Sequence, residues 1–440
     1  MKTNTKRQPT AFTHEGAPAI PPANAEKELR RAVLACMLWE DQFYESGEDI
    51  AARIATLVRS VPVDKVASLA IEARTRFKLR HAPLLLVREL ARTAKGNIVG
   101  RTLSEVIQRA DELGEFVSIY WKEKKQPLSK QVKLGLAHAF TKFNAYQLGK
   151  YRGDDKAVKL RDVLFMCHAK PKDEGQAATW KQLVDGTLPT PDTWEVALSG
   201  GADKKEAFER LLREGKLGYL ALLRNLRNMV TAGVDETLVQ GALLGGATNS
   251  KALPFRFIAA ARAAPRYEPQ LDEAMRFAVA ELPRLAGRTV VLVDVSGSMD
   301  RALSGKSDLK RMDAACGLAI MARELCQDCR VFAFSTSIAE IPARHGMGLS
   351  DAIQKSMPHG GTDLGGAVGW VNLHTQYDRL IVVTDEQSMS PVGSPTGRRG
   401  YMVNVAAYKN GIGYGPWTRL DGFSEALLTY IQECELALTE

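Results

Sequence analysis

The chain lacks any run of about 18 apolar residues, so no stretch of it is expected to cross a membrane as a helix. Cysteine is scarce: six residues, at positions 36, 167, 316, 326, 329 and 434, are scattered over 440. That excludes a disulfide framework and fits a reducing compartment. Cys326 and Cys329 make one CxxC, but a zinc site would want a second ligand pair nearby and none follows, so the pair reads as packing. The opening MKTNTKRQPTAFTHEG has basic residues with no apolar segment behind them, so no secretory signal is expected and the cytoplasm is the expected location. No Gly-rich phosphate loop of the Walker or dinucleotide type follows a strand-like run.

What is there divides in three. Residues 1–24 are polar and Pro-rich and read as a flexible or draped tail. Residues 25–284 read as almost continuous helix: AEKELRRAVLACMLWE, EDIAARIATLVRSV, VDKVASLAIEARTRF, APLLLVRELARTA, SKQVKLGLAHAFTKF and YLALLRNLRNMV place apolar residues three and four apart. In the third, Val66, Leu69, Ala70 and Ala73 form a stripe, with Arg74 and Arg76 off it. Many helices of about 12–16 residues with short links suggest stacked helical pairs of the HEAT sort. From residue 285 to 440 the texture changes. RTVVLVD, RVFAFST, RLIVVTD and YMVNVAA are apolar runs typical of buried strands. They alternate with the helical stretches SDLKRMDAACGLAIMARELC, LGGAVGWVNLHTQ and DGFSEALLTYIQECEL, which predicts a doubly wound α/β domain. The chain is therefore expected to be multidomain, an all-α helical-repeat module followed by an α/β module.

In an open parallel sheet, ligands gather at the carboxyl ends of strands. The first strand ends VLVDVSGSMD, which puts Asp294, Ser296 and Ser298 just beyond it. HGGTDLGGA offers Thr362 and Asp363 ahead of a helix, and IVVTDEQS offers Asp385. These are hard oxygen donors without thiolate or imidazole. Such a set suits one divalent cation, Mg²⁺ first, with Mn²⁺ or Ca²⁺ as alternatives, and disfavours zinc. Two carboxylates and three hydroxyls leave one position open on an octahedral ion. D-x-S-x-S alone also reads as an Asx turn followed by helix caps, and Asp363 reads mainly as a cap.

Three loops in this order resemble the metal-ion-dependent adhesion site of von Willebrand factor A domains. The resemblance implies that Asp294, Ser296, Ser298, Thr362 and Asp385 surround the ion, directly or through water, and that the open position takes a carboxylate from a protein partner. A strand ending hhhDxS is also similar to haloacid-dehalogenase phosphatases, where an Asp acid follows the Asp nucleophile by two residues. Here Ser296 holds that position and cannot act as a general acid. Lys306 and Lys310 fit a phosphate contact or, equally, a solvated helix start. No nucleophile has a base beside it, so no enzyme is expected.

The chain carries 59 Lys and Arg against 51 Asp and Glu, a net charge of +8. The excess is local. Residues 120–172 hold 13 Lys and Arg against 4 acids, and Tyr146 and Tyr151 interleave with Lys150 and Arg152. Lys130 and Lys133 lie off the Val132, Leu136, Phe140, Phe143 stripe of their helix. Cations beside planar groups fit phosphate contact with base stacking on single-stranded nucleic acid. They fit equally well the ordinary solvated faces of helices, with His168 as a helix-end histidine.

FNAYQLGKYR, LRDVLFMCHAKP and YLALLRNLRNM resemble, in this order, the signature stretches of the TROVE module of Ro ribonucleoproteins. A TROVE module followed by an A-type domain is that family's architecture. The resemblance implies a ring of HEAT-like repeats closed by the A domain. It implies binding of small non-coding Y-like RNA on an outer basic surface, and of single-stranded ends of structured or misfolded RNA in the hole. It also implies work in RNA processing, quality control or decay beside an exoribonuclease such as polynucleotide phosphorylase. The positions it carries over for RNA contact are Lys150, Arg152 and His168, with Lys133, Arg161 and Lys170 more weakly. A reading from another class remains: a metal-dependent protein-interaction adaptor with the helical half as scaffold.

Overall fold

The computed structural model describes residues 12–19, 24–34, 46–151, 156–194, 196, 203–248, 250, 252, 254–280, 284–303, 308–406, 411–412, 415–422, 431 and 435. Arg152, Lys306, Cys36, Cys434 and nearly all of DGFSEALLTYIQECEL lie outside the described residues. Two compact units emerge. One comprises residues 24–39 and 47–200, the other 1–23, 40–46 and 201–440.

The first unit is helical. Its described helices are α1 (Ala25–Leu34), α2 (Gly47–Val58), α3 (Val63–Thr75), α4 (His81–Thr93), α5 (Ile98–Val106), α6 (Asp111–Tyr120), α7 (Lys130–Phe140), α8 (Ala145–Lys150), α9 (Leu160–Cys167) and α10 (Glu174–Asp185). Through α7, helices touch their next or next-but-one neighbours, and α7 in turn meets α9. That is the stacking the helical rhythm predicts.

Local chemistry sets the ends. The Ser129 hydroxyl accepts the amide of Val132 at 3.3 Å to start α7. Asn144 and Gln147 form a capping box on α8. Asp173 caps α10, and Gly186, at φ 74°, ends it. Val132, Leu136, Phe140 and Phe143 are buried as the stripe requires. Gly135 allows α7 to cross α5 closely, since a Cβ there would lie 2.7 Å from the carbonyl oxygen of Gly100.

One expectation fails in α3. Arg74 is not off the buried face; it is 7% exposed. Its guanidinium donates to Glu112 at 2.7 Å, and that carboxylate also accepts the amides of Gln108 and Arg109 at 2.8 and 3.0 Å. A buried cation is tolerable because its counter-charge is fully hydrogen-bonded.

The second unit carries a six-stranded sheet in the order β3-β2-β1-β4-β5-β6. The strands are β1 (Leu285–Asp294), β2 (Cys326–Phe334), β3 (Ile338–Glu340), β4 (Arg379–Thr384), β5 (Arg399–Asn404) and β6 (Thr418–Asp421). The four apolar runs are β1, β2, β4 and β5. The short β3 and β6 carry no such run and are additions at the two edges. All pairings are parallel except β2 with β3. β1 is central because its residues 290–294 are apolar but for Asp294 and all are buried, as a strand covered on both faces requires. Helices Arg311–Leu325, Gly346–Gln354 and Leu364–His374 belong to this sheet domain. The chain leaves β1 towards β2 on one side and returns to β4 on the other. The switch point of the sheet thus lies between β1 and β4, where ligands bind in open α/β sheets.

Candidate metal centre and basic face

Asp294 ends β1, and Asp385 follows the last residue of β4, on either side of the switch point. Both are completely buried, as are Ser296 and Thr362, while Ser298 is half-buried. The three loops are tied together. One Asp294 oxygen accepts the Ser296 amide at 2.8 Å, and the other accepts the Thr384 hydroxyl at 2.6 Å. The hydroxyls of Ser296 and Ser298 lie 3.2 Å apart. The Gly297 amide donates to Gly360 O at 2.9 Å, the Asp363 amide to Ser335 O at 2.8 Å, and the Met389 amide to Thr362 O at 2.9 Å. Glu386, just past Asp385, takes φ 63°, a strained conformation for a non-glycine residue. Its ion pair with Arg419 and its amide's bond to the Thr384 hydroxyl at 3.0 Å hold it there.

Two buried carboxylates this close repel. Burial first, and then Asp385, push the Asp294 carboxyl up to about 7. Arg311, itself 1% exposed, donates to Asp385 at 3.0 Å and offsets one of the two charges. The donors left facing one another are a carboxylate and hydroxyls. Among the described residues no three His, Cys, Asp or Glu side chains gather as a metal site, so an ion bound here needs the hydroxyls as ligands. Oxygen-only donors with an excess of buried negative charge fit Mg²⁺, Mn²⁺ or Ca²⁺. Asp363 caps the helix Leu364–His374 by accepting the Gly366 amide at 3.1 Å, as its place before that helix suggests.

Residues 12–19, part of the segment expected as a tail, drape over this site. Thr13 donates its hydroxyl to Ser388 O at 2.6 Å, and Ala17 donates its amide to the same carbonyl at 3.2 Å. Gly16, at φ 97°, closes the turn. Glu15, at its tip, accepts the Thr362 amide at 2.7 Å with one carboxylate oxygen, and the other lies 3.4 Å from the Thr362 hydroxyl. Sequence reasoning missed Glu15, Arg311 and Thr384. Only Thr384 carried a signal, as the residue before the Asp of VVTD.

In the helical unit, Arg161, His168 and Lys170 are exposed, while Lys133 and Lys150 are half-buried. The helices that carry them adjoin: α7 packs on α9, and α8 and α9 both touch α10. Lys150 lies 5.6 Å from the Tyr151 ring, with Arg109 4.8 Å from the same ring. Lys142 is diverted into structure, since it donates to the carbonyls of Ser104 and Ile107. Arg161 and Phe165 stand at i and i+4 on one face of α9, with His168 just past the helix end. Phe165 is 59% exposed, although its neighbours Val163 and Leu164 are buried. His168, at φ 52°, is the left-handed cap of that helix. Phe165 was not anticipated; its run of apolar neighbours made it look like core.

A helical-repeat module and a von Willebrand A-type sheet with oxygen donors at its switch point define a two-module class of protein. Comparison with known proteins makes the class specific. Residues 177–291 match the TROVE domain, and residues 288–397 match the Ro60 vWA domain. The chain is 24% identical over 424 residues to the RNA-binding protein RO60 of Deinococcus radiodurans, covering 80% of this chain and 79% of that one. The crystal structure of the Deinococcus radiodurans RO (RSR) protein superposes with a TM-score of 0.60 at 21% identity, over 92% of this chain and 97% of that one, and so shares its fold. An 89-residue stretch is 36% identical to telomerase protein component 1 of rat and of mouse; it takes in 19% of this chain and spans 3% of the length of those proteins. The two domains in this order, with the Deinococcus relative matched over 80% of the chain, place it in the Ro family, among its bacterial-type members.

Proposed function

We propose that this protein is a non-catalytic RNA-binding protein of the Ro type. It takes small non-coding, Y-like RNA and single-stranded ends of structured or misfolded RNA, and acts in RNA processing, quality control or decay with an exoribonuclease such as polynucleotide phosphorylase. The observation that carries the reading is the α9 face. Arg161 and Phe165 set a cation and an exposed aromatic ring on one face of the helix, with exposed His168 in its cap and exposed Lys170 just beyond. Exposing a phenyl ring to water is unfavourable, and a stacked base removes that cost while the cations meet phosphate. The Deinococcus relative is named an RNA-binding protein, which supports the same reading.

The sheet domain would supply a docking site. Asp294, Ser296, Ser298, Thr362 and Asp385 would hold one Mg²⁺, and the ion would give carboxylate-binding capacity to loops whose own carboxylates would otherwise repel such a group. The two Asp294 oxygens are engaged by Ser296 and Thr384, and Ser296 stands where a phosphatase would need an acid. A metal-dependent adaptor is the second reading, and this site is the observation that favours it.

The test is retention of a structured RNA with a single-stranded 3′ end, at 50 and 200 mM salt. Tight binding at low salt that falls steeply with salt is expected, because phosphate contacts release counterions. No binding at low salt would leave the adaptor reading alone.

A further inference from the structure

From the turn formed by residues 12–19 we infer that Glu15 is the last ligand of the metal ion, so that the chain fills its own open coordination position. The inference rests on the metal reading of the Asp294 loops.

Three features point this way. The first is spacing. Oxygens at right angles on an octahedral ion lie about 3.0 Å apart for Mg²⁺ and about 3.4 Å apart for Ca²⁺, given the usual metal–oxygen lengths. The Ser296 and Ser298 hydroxyls are 3.2 Å apart, and the Glu15 carboxylate lies 3.4 Å from the Thr362 hydroxyl. Glu15 therefore continues the same spacing from the ligand on the far loop. The second is charge. Glu15 adds a negative charge at Thr362, on a loop bonded to the one that follows Asp385. Like charges on adjoining loops repel, and a cation held between the loops reverses the sign. The third is that the turn is built to aim Glu15. Thr13 bonds its own turn, accepting the Ala17 amide at 3.0 Å, and the turn is pinned to Ser388 and, through the His14 amide, to Gln387 at 2.7 Å. Ser388 and Gln387 are fully buried residues of the loop that follows Asp385. The ion then does more than sit in the sheet domain. It latches an early segment of the chain onto the site, and a carboxylate from outside must displace Glu15 before it can bind.

The experiment compares the full chain with Glu15→Gln, using Mn²⁺ alone as the probe. Affinity is read by calorimetry, and metal-bound water by proton relaxation. Backbone hydrogen exchange of residues 13–17 is followed with and without Mn²⁺. The expected results are an affinity about 10-fold weaker in the variant, a higher relaxivity as water replaces the carboxylate, and metal-induced protection of residues 13–17 in the parent only. Equal affinity, relaxivity and exchange would overturn the role of Glu15 and leave the metal site standing. If the parent binds no Mn²⁺, the metal reading fails and this inference fails with it.

Discussion

Asp294 and Asp385 are sealed at the ends of two neighbouring strands, whereas Arg161, His168 and Lys170 stand in solvent on a short helix and its cap. The difference is one of constraint. Around the metal loops, each side chain is fixed by a named hydrogen bond, and the backbone segments are bonded to one another. On the helical face, the cations stand exposed, and what organises them is the shape of α9 beneath. A buried site of this kind depends on residue type at each position. An exposed one depends on summed charge and tolerates exchange of individual residues.

That contrast can be broken or sharpened by substitution. The largest effect is expected for Asp294→Ala, which should take Mn²⁺ binding below detection, a loss of roughly 100-fold or more, since it removes one of two carboxylates from an oxygen-only site. RNA affinity measured on the same sample should be unaltered, and a joint loss would show that the two modules do not act independently. Next comes a pair of arginines within the helical unit. Arg74→Ala removes the buried partner of Glu112, leaving it only the half-buried Arg80 at 3.7 Å, and should cost about 3 kcal/mol of stability in urea denaturation. Arg161→Ala, on the exposed face, should change stability by about 0.5 kcal/mol or less. Equal costs would mean that burial does not separate the two classes of cation. The smaller of the two binding effects is expected for Phe165→Ala. It should weaken binding of a single-stranded RNA by about 10-fold, the worth of one stacked base, and leave the thermal midpoint nearly unchanged. Unaltered RNA affinity would remove the α9 face from the proposal.

The sequence exposed these regions unequally, and the reasons are physical. The sheet was readable because strands buried on both faces need unbroken apolar runs, and β1, β2, β4 and β5 have them. β3 and β6 escaped because short strands at the sheet's edges need no such run. The Asp294 loops were readable because ligand chemistry and sheet geometry select the same positions. Their support was not. Arg311 and Glu15 reach Asp385 and Thr362 across separations of 74 and 347 residues, and no local pattern marks either of them. In the helical unit, the stripe of α7 followed from its period. The burial of Arg74 did not, because it depends on Glu112 being presented by another helix. Phe165 was hidden for the opposite reason: an aromatic among Val163, Leu164 and Cys167 looks like core until the face it occupies is seen.

The backbone bonds that tie Gly297 to Gly360, Asp363 to Ser335 and Met389 to Thr362 have a further consequence. If the loops hold an ion as proposed, these bonds make them a mould cast before it arrives. Little chain entropy remains to be lost when it enters, so selection among cations falls to ionic radius and to the cost of stripping water. A mould of this kind cannot swell for a larger guest without breaking the joints between loops. On the metal reading proposed above, these loops would gauge cation size.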